Sequence, residues 1–407
     1  MFNLKKKEFE KFDWPLFLSV AFLSIYGLIV LYSAFSGNIL KIRSQIFASI
    51  LGFIFIILIC TMDMDVIKKA AYPIYGISLA LLILTIFLGQ GEQQWGSNSW
   101  LILGPIQIQP SEITKVGIIF ALSAYLEKYK DDINDPKRLL FTIVFAGLPI
   151  LFILLQPDFG TAMVYIFFIA VMLFLAGLSW KWIISLLLLA GVFGLILLLN
   201  LEGYRADRIH DFLDPSRDTS GSGWQQQQGL IAIGSGMFTG RGYMKGTQAQ
   251  YGYIPEKETD YIFSVLAEEL GFIGAVLMLV AFVIIIYRLL IISKNSKNSF
   301  ISFMVSGICA MFFIHIFENV AMTIGLMPVT GIPLPFFSSG GTFLLICFIN
   351  IGLALSASMQ TSSYDIEDTS EYETIKFNSN IKNSFANCKA ILNLKIIHIL
   401  PLSHQLI

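Results

Sequence analysis

Apolar stretches of about 20 residues recur along most of this chain, and they limit its fold more strongly than any other feature. A helix of that length crosses the hydrocarbon core of a bilayer. Charged residues make up only 14% of the sequence and hydrophobic residues 56%, whereas soluble domains carry roughly 25% charged residues. The sequence therefore predicts an all-α polytopic integral membrane protein, with residues 1–360 as one transmembrane domain.

The apolar stretches predict about ten transmembrane helices. They lie at approximately 14–34, 45–62, 71–89, 112–126, 139–155, 159–177, 182–200, 261–287, 299–320 and 341–359. A polar segment, residues 201–260, separates helices 7 and 8 and is predicted to be one large extracellular loop. Residues 361–407 begin with an acidic, polar sequence that is typical of a disordered tail.

Basic residues predict the orientation, because the loops between membrane helices carry more lysine and arginine on the cytoplasmic side. A cytoplasmic N-terminus places these residues inside: Lys68, Lys69, Lys128, Lys130, Lys137, Arg138, Lys181, Arg288, Lys294 and Lys297. The opposite side then has Lys41 and Arg43 in its first loop, but no lysine or arginine at 90–110, 155–158 or 321–340. Both termini are therefore predicted to be cytoplasmic.

Several classes of function are not supported by the sequence. The formal net charge is −1, and no basic cluster suggests nucleic acid as a partner. The chain lacks the HExxH and CxxC patterns of zinc sites and the GxxxxGK[ST] pattern of a nucleotide loop. No cofactor is therefore predicted from these motifs.

Two short segments on the predicted outer side carry charged residues. Pro110 suits the first turn of a helix, and Glu112 and Lys115 are then neighbours on one helix face. They form either a structural ion pair, or a site where Lys115 meets an anionic substrate group. Asp158, in the turn between two spans, is favourable as a cap at a helix start.

The segment 201–260 ends at Asp260, where the next apolar stretch begins. Arg205 and Arg208 are spaced to grip a phosphate together, although pairing with neighbouring aspartates is the alternative. Asp260, Ser264, Ala267, Gly271 and Gly274 fall on one helical stripe of small and polar residues, which predicts a helix–helix contact face. Asp260 is therefore expected to point into the bundle.

Further polar residues lie inside the predicted helices or beside them. Glu268 and Glu269 are intramembrane acids, which are costly and hence functional candidates. His315, Glu318 and Asn319 form a polar group on one helix and are expected to brace its neighbours. Residues 325–342 contain prolines and glycines that exclude a regular helix, so a re-entrant segment beside a wet cavity is predicted there.

A resemblance to a known family is carried by seven motifs in order. The chain resembles the SEDS family (shape, elongation, division and sporulation) over roughly residues 14–360, and its RodA branch more than its FtsW branch. The motifs are QPSEITK, QPDFGTA, RADRIHDFLDP, GWQQQQGLIAIGSG, GRGYMKGTQAQ, IPEKETDYIFSVLAEELGFIG and MPVTGIPLPFFSSGG.

The resemblance implies a peptidoglycan glycosyltransferase that polymerises lipid II in the bacterial cytoplasmic (inner) membrane during cell elongation, releasing undecaprenyl pyrophosphate. It implies a class B penicillin-binding protein, the transpeptidase, as partner, beside other elongation-complex proteins and membrane lipids. Asp260 matches the family's catalytic aspartate. The candidate substrate-binding residues are Lys115, Glu112, Arg205, Arg208, Gln248 and Glu256.

Three residues depart from the family pattern: Glu258, Met237 and Ser339 stand where His, Gly and Tyr are common. Glu258 adds a negative charge two residues from Asp260. It is expected either to raise the pKa of Asp260 or to help hold a divalent cation, Mg²⁺ or Mn²⁺. Two rival functions remain open, a lipid II flippase and a non-catalytic scaffold for the transpeptidase.

Overall fold

The structure is a computed structural model, and it describes residues 11–91, 97–104, 106–199, 211–212, 214 and 221–360. The chain divides into Met1–Thr361 and Ser362–Ile407, and the second unit lies outside the described residues. The helices are α1 (Trp14–Ala34), α2 (Ile39–Cys60), α3 (Met64–Leu88), α4 (Pro110–Tyr129), α5 (Pro136–Leu155), α6 (Phe159–Leu175), α7 (Trp180–Leu199), α8 (Ser222–Ser235), α9 (Thr247–Gln250), α10 (Ile262–Asn295), α11 (Ser299–Thr323) and α12 (Gly341–Gln360).

The prediction of an all-α polytopic membrane protein is confirmed. Within the described residues, seven helices are long and apolar enough to cross a membrane, and α6 is a shorter apolar helix. The seven are α1, α2, α3, α5, α10, α11 and α12. The other two predicted stretches also form helices, α4 and α7.

Side chains that cap backbone N–H groups begin several of these helices. Asp13 accepts from Leu16 N at 3.0 Å at the start of α1, and Asp135 accepts from Arg138 N at 3.2 Å at the start of α5. Pro110 occupies the first turn of α4, as predicted. Such caps satisfy donors that a helix start otherwise leaves unpaired.

Helices α4 and α11 lie at the centre of the bundle, since their side chains are buried on nearly every side. This position explains the polar character of the predicted fourth stretch. A helix that faces protein rather than lipid does not need an uninterrupted apolar surface.

A short hairpin of two antiparallel strands, β1 (Leu101–Leu103) and β2 (Ile106–Ile108), precedes α4. It was not predicted, because strands of three residues give no periodic signal. Thr342, at the start of α12, donates to Gln107 O at 3.0 Å. The hairpin therefore lies against the end of the bundle where α4 and α12 begin.

Helix α10 is broken at Gly271, which has a φ of 66° and a ψ of −162°. The continuous helix expected from the apolar stretch is therefore wrong, and Gly271 is a break rather than part of a regular contact stripe. Backbone groups of residues 237–242 fill the gap. Phe272 N donates to Met237 O at 2.9 Å and Ile273 N donates to Phe238 O at 3.1 Å.

Backbone groups of the same segment also form hydrogen bonds with the half of α10 that precedes the break. Arg241 N donates to Glu268 O at 2.9 Å, and Gly242 N donates to Glu269 O at 3.0 Å. The segment Gly236–Gly242, called the splint from here on, thus replaces four hydrogen bonds that the break removes from α10.

Residues 324–340, between α11 and α12, form no regular helix, which agrees with the predicted irregular segment. Ile332, Leu334, Phe336 and Phe337 are buried there. The segment packs closely on α1, because a side chain at Gly27 would clash with Phe336 O. It therefore runs through the interior of the bundle rather than over its surface.

Candidate active site

Asp260 is half-buried and lies two residues before the first residue of α10, with Tyr261 as the cap. Its Oδ2 lies 3.6 Å from the position that a Cβ on Gly331 would take. Gly331 has a φ of +74°, a conformation that favours glycine. The carboxylate of Asp260 thus lies over the backbone of the irregular segment, close to a helix N-terminus that favours negative charge.

Asn319 of α11 fixes the backbone at this point. Its Nδ2 donates to Asp260 O at 3.0 Å and to Ile332 O at 2.8 Å. On the same face, His315 Nδ1 lies 3.4 Å from Pro333 O. The expectation that the His315–Asn319 group braces neighbouring elements agrees with these contacts.

The serines at 338 and 339 hold the residues before Asp260. Ser338 Oγ donates to Thr259 O at 2.6 Å, and Ser339 N donates to Glu258 O at 2.8 Å. Gln45 of α2 completes the arrangement from the other side: its Nε2 donates to Ser338 O at 3.0 Å and its Oε1 accepts from Gly340 N at 3.2 Å. Three separate parts of the chain therefore position Asp260.

Lys115 lies behind this arrangement and is fully buried, with 0% exposure. Its Nζ donates to Glu112 Oε1 at 2.7 Å and lies 2.9 Å from His315 Nε2. The ring of Phe343 is 5.6 Å from the same ammonium. The predicted Glu112–Lys115 pair is thus formed, and His315 links it to the helix that holds Asp260.

Glu318 lies one turn from His315 and is fully buried as well. Its two carboxylate oxygens have no hydrogen-bond partner among the described residues, and the same is true of Glu112 Oε2. Acidic groups that are buried without hydrogen-bond partners are costly away from water.

Asp158 caps α6, as predicted from its place in the turn. Its Oδ1 accepts from Thr161 N at 3.0 Å, and its Oδ2 accepts from Thr161 Oγ1 at 2.9 Å. Gln109 Nε2 donates to the same Oδ2 at 3.2 Å. The start of α6 therefore meets the start of α4. The irregular segment lies close to both, because a side chain at Gly160 would clash with Thr330 O.

Glu256 and Glu258 lie in the turn that leads to Asp260. Glu256 is exposed, and its Oε2 accepts from Thr259 Oγ1 at 2.9 Å. Burial raises the pKa of the Glu258 carboxyl, and the charge of Glu256 adds to the effect. The described residues contain no group of three or more His, Cys, Asp or Glu that could hold a metal ion.

Gln248 lies in α9, and its backbone N donates to Glu268 Oε1 at 2.8 Å. Glu268 Oε2 accepts from Ala249 N at 3.0 Å. Glu269 accepts from Ser33 Oγ at 2.6 Å and from Gln250 Nε2 at 3.0 Å. The two intramembrane acids, which were functional candidates, therefore hold α9 against α1 and α10.

The structure brings together Asp260, Glu256 and Glu258, and it connects Lys115 and Glu112 to Asp260 through α11. Arg205 and Arg208 lie outside the described residues. Sequence reasoning missed Gln45 and Ser338. A lone glutamine in the apolar α2 was the available signal, since a buried amide requires a partner.

These features define a polytopic membrane protein with a half-buried carboxylate at the mouth of one helix. A carboxylate so placed can accept a proton from a hydroxyl group. The surrounding bonds hold its backbone in place, so the group is preorganised.

The comparisons with known proteins agree with this description. The family model described as "Cell cycle protein", for FtsW, RodA and SpoVE, matches residues 13–363. The chain therefore belongs to the FtsW/RodA/SpoVE family, also called SEDS.

Individual relatives extend the likeness over most of the chain. Peptidoglycan glycosyltransferase MrdB of Escherichia coli is 31% identical over 360 residues, covering 87% of this chain and 96% of the relative. Stage V sporulation protein E of Bacillus subtilis is 34% identical over 359 residues, covering 85% and 96%.

Two solved structures share the fold. The rod shape determining protein RodA of Thermus thermophilus has a TM-score of 0.66 at 28% identity, covering 86% of this chain and 98% of that chain. A chain from work on the "structural coordination of polymerization and crosslinking by a peptidoglycan synthase complex" has a TM-score of 0.76 at 30% identity, covering 86% and 99%.

Proposed function

We propose that this protein is a peptidoglycan glycosyltransferase that polymerises lipid II. The observation that carries the proposal is the fixed position of Asp260, held through Asn319, Ser338 and the irregular segment. Two relatives that align with this chain over 96% of their own length are named a peptidoglycan glycosyltransferase and a probable peptidoglycan glycosyltransferase, which supports the reaction class.

In the proposed reaction, Asp260 is the general base. The acceptor sugar hydroxyl attacks the anomeric carbon of the donor and forms the new C–O bond, while the bond from that carbon to the pyrophosphate oxygen breaks. The hydroxyl proton passes to Asp260, and undecaprenyl pyrophosphate leaves with the bonding electrons. A positioned base contributes typically about 10²–10⁴-fold to rate.

The leaving pyrophosphate requires positive charge. We assign this role to Arg205 and Arg208, with Lys115, Glu112, Gln248 and Glu256 as further substrate-binding candidates. Lys115 is fully buried and paired, so its contribution requires either a change of side-chain position or an effect through the field it creates. Glu258 as a ligand of a divalent cation is also a proposal, which metal titration of Glu258→Gln and parent would test.

The cell-elongation role is part of the proposal, as is a class B penicillin-binding protein as partner. The RodA-like fold supports the first, and the likeness to a chain of a peptidoglycan synthase complex supports the second. Co-purification of this chain with the transpeptidase of its own cell would test the partnership.

We also propose that both termini are cytoplasmic, which the lysine and arginine distribution supports. A single cysteine at Ser220, in a chain without its native cysteines, should react with an impermeant thiol reagent on intact cells. Labelling only after lysis would show that the orientation is the opposite of the one proposed.

The function is tested by polymerisation of purified lipid II with the transpeptidase partner present. Asp260→Asn keeps the shape of the side chain but cannot take up the proton, so polymer should fall by about 10²–10⁴-fold. Asp135→Asn is the matched control, because asparagine caps a helix about as well as aspartate. The proposal fails if the well-folded Asp260→Asn protein polymerises at close to the parental rate. If the protein were a flippase or a scaffold, the parental protein itself would form no polymer.

A further inference from the structure

The splint exposes two large apolar side chains next to the broken helix. Met237 and Phe238 are 74% and 71% exposed, and Phe272 of α10 beside them is 60% exposed. The rings of Phe238 and Phe272 are 5.9 Å apart. Apolar groups this exposed in water are costly, at roughly 25 cal/mol per Å², so the surface that they face needs an explanation.

Met237 also has an unusual backbone. Its φ is +48°, a left-handed conformation that is strained for a non-glycine residue. A methionine there places an exposed apolar side chain at the tip of the splint, where a glycine would place none.

We propose that the splint is a re-entrant membrane contact, in which Met237 and Phe238 insert among lipid acyl chains on the Asp260 side of the membrane. We expect lipid at this surface because the splint continues the exposed apolar face of α10. Beyond the break, the exposed apolar side chains of this spanning helix form one row that starts beside the splint. The row consists of Phe272, Ile273, Val276, Leu277, Val280, Val283, Ile284 and Tyr287.

The depth of the splint can be placed from the other end of α10. Arg288 forms an ion pair with Asp13, at 2.7 Å, which marks the far boundary of the apolar core. The hydrocarbon core is about 30 Å thick, which corresponds to about 20 helical residues. Counting back from Arg288, the near boundary falls close to Glu268, so Phe272 lies about 6 Å inside the core.

Helix α8 reaches this depth by running alongside the first half of α10. A side chain at Gly229 would clash with the ring of Tyr261, and one at Gly236 would clash with Ala267 O. The two helices therefore run in the same direction, towards the interior of the membrane. The sequence of α8 changes in the same sense, from QQQQ in its first half to LIAI in its second.

The backbone of the splint satisfies the condition for irregular structure at membrane depth, namely that its polar groups are paired. Met237 O and Phe238 O accept from α10, and Arg241 N and Gly242 N donate to α10. Gly240 N donates to Gly236 O at 2.8 Å within the splint. The polar side chains of the splint are Thr239 and Arg241, and Arg241 donates to Ser235 Oγ at 3.0 Å and to Thr247 Oγ1 at 3.2 Å. Met237 and Phe238 are the apolar side chains that the splint presents to lipid.

Oxidative footprinting of the native protein in lipid nanodiscs tests the proposal without any mutation. Met237 is twice as exposed as Met62, which is 37% exposed in the turn between α2 and α3. If Met237 lies among acyl chains, it should be oxidised several-fold more slowly than Met62. Faster oxidation of Met237 than of Met62 would overturn the proposal.

A spin label distinguishes lipid from a protein partner as the neighbour of the splint. Single cysteines at Phe238, Val283 and Tyr251 should be labelled in a cysteine-free chain that retains polymerase activity. The label at 238 should collide with oxygen more often than with a water-soluble nickel complex, as at Val283, and the label at Tyr251 should show the reverse. Access to nickel at 238, or burial from both reagents by a second copy or another protein, would overturn the proposal.

Discussion

The side-chain amide of Asn319 donates to the main-chain oxygen of Asp260, at 3.0 Å. The two residues are 59 positions apart in the chain, so this bond is set by tertiary structure rather than by local sequence. Asn319 does not need to touch a substrate to matter, because it fixes the backbone from which the Asp260 carboxylate projects. It is a positioning residue in the proposed reaction.

Asn319→Leu should therefore lower turnover more than affinity. Two carbonyl oxygens, of Asp260 and Ile332, lose a donor, at a cost of about 1–3 kcal/mol for each one left unsatisfied. In steady-state polymerisation, kcat should fall at least about tenfold, with KM near the parental value. Asn350→Leu is the control, since among the described residues that buried amide donates to Ile346 O of its own helix and to a sulfur of α11. If kcat fell equally in both variants, Asn319 would have a packing role only.

The buried pair of Glu112 and Lys115 gives a second prediction. Lys115→Met leaves the Glu112 carboxylate buried without its cation, and removing one partner of such a pair costs about 3–5 kcal/mol. The apparent melting temperature should fall clearly, and Glu112→Gln in addition should restore most of it. If Lys115 also acts on substrate, the stable double variant remains inactive; full recovery of polymerisation would leave the pair with a structural role alone.

A pH-dependent effect is expected at Glu258. Burial raises the pKa of this carboxyl in the folded protein, so the folded state binds the proton more tightly than the unfolded state. Stability is then highest below the unfolded pKa, and it declines as the pH rises through the folded pKa. Glu258→Gln removes this decline, so its melting temperature should exceed that of the parent only at the higher pH values.

The neighbouring acid supplies the control for that measurement. Glu256 raises the pKa of Glu258 through its charge, so Glu256→Gln should move the decline of stability to lower pH without abolishing it. The assignment is wrong if the difference in melting temperature between Glu258→Gln and the parent is the same at every pH.

The break in α10 gives a fourth prediction. Gly271→Ala requires a side chain at a φ of 66° and a ψ of −162°, and its Cβ would clash with Gly240 N. We expect a loss of about 2–4 kcal/mol, measured as a lower apparent melting temperature at a fixed scan rate. Gly234→Ala in α8 is the control, since nothing lies within 4 Å of its added Cβ, and it should be neutral or stabilising by about 0.5–1 kcal/mol.

Local features of the sequence were sufficient to predict much of the fold. The apolar stretches gave the helices, Pro110 gave the start of α4, and Asp158 gave the cap of α6. The Glu112–Lys115 contact was also predictable, because the two residues are neighbours on one helix face.

The rest depends on contacts between distant parts of the chain. His315 lies 200 positions from the lysine it meets, and the break at Gly271 is completed by residues about 30 positions earlier. Periodicity reports only which face of a helix is buried, so it assigned Gly271 to a packing stripe. Similarly, Gln45 and Ser338 hold Asp260 through bonds that no spacing reveals.

The order of the splint and α10 along the chain has a consequence for synthesis. A helix with an open break would carry four unpaired backbone groups into lipid, each costing several kcal/mol. Residues 236–242 leave the ribosome before α10 does, so the splint that closes the break is already present when the helix enters the membrane. A chain permuted to place these residues after α10 would have to insert the helix unclosed, and its yield in the membrane should fall for that reason alone.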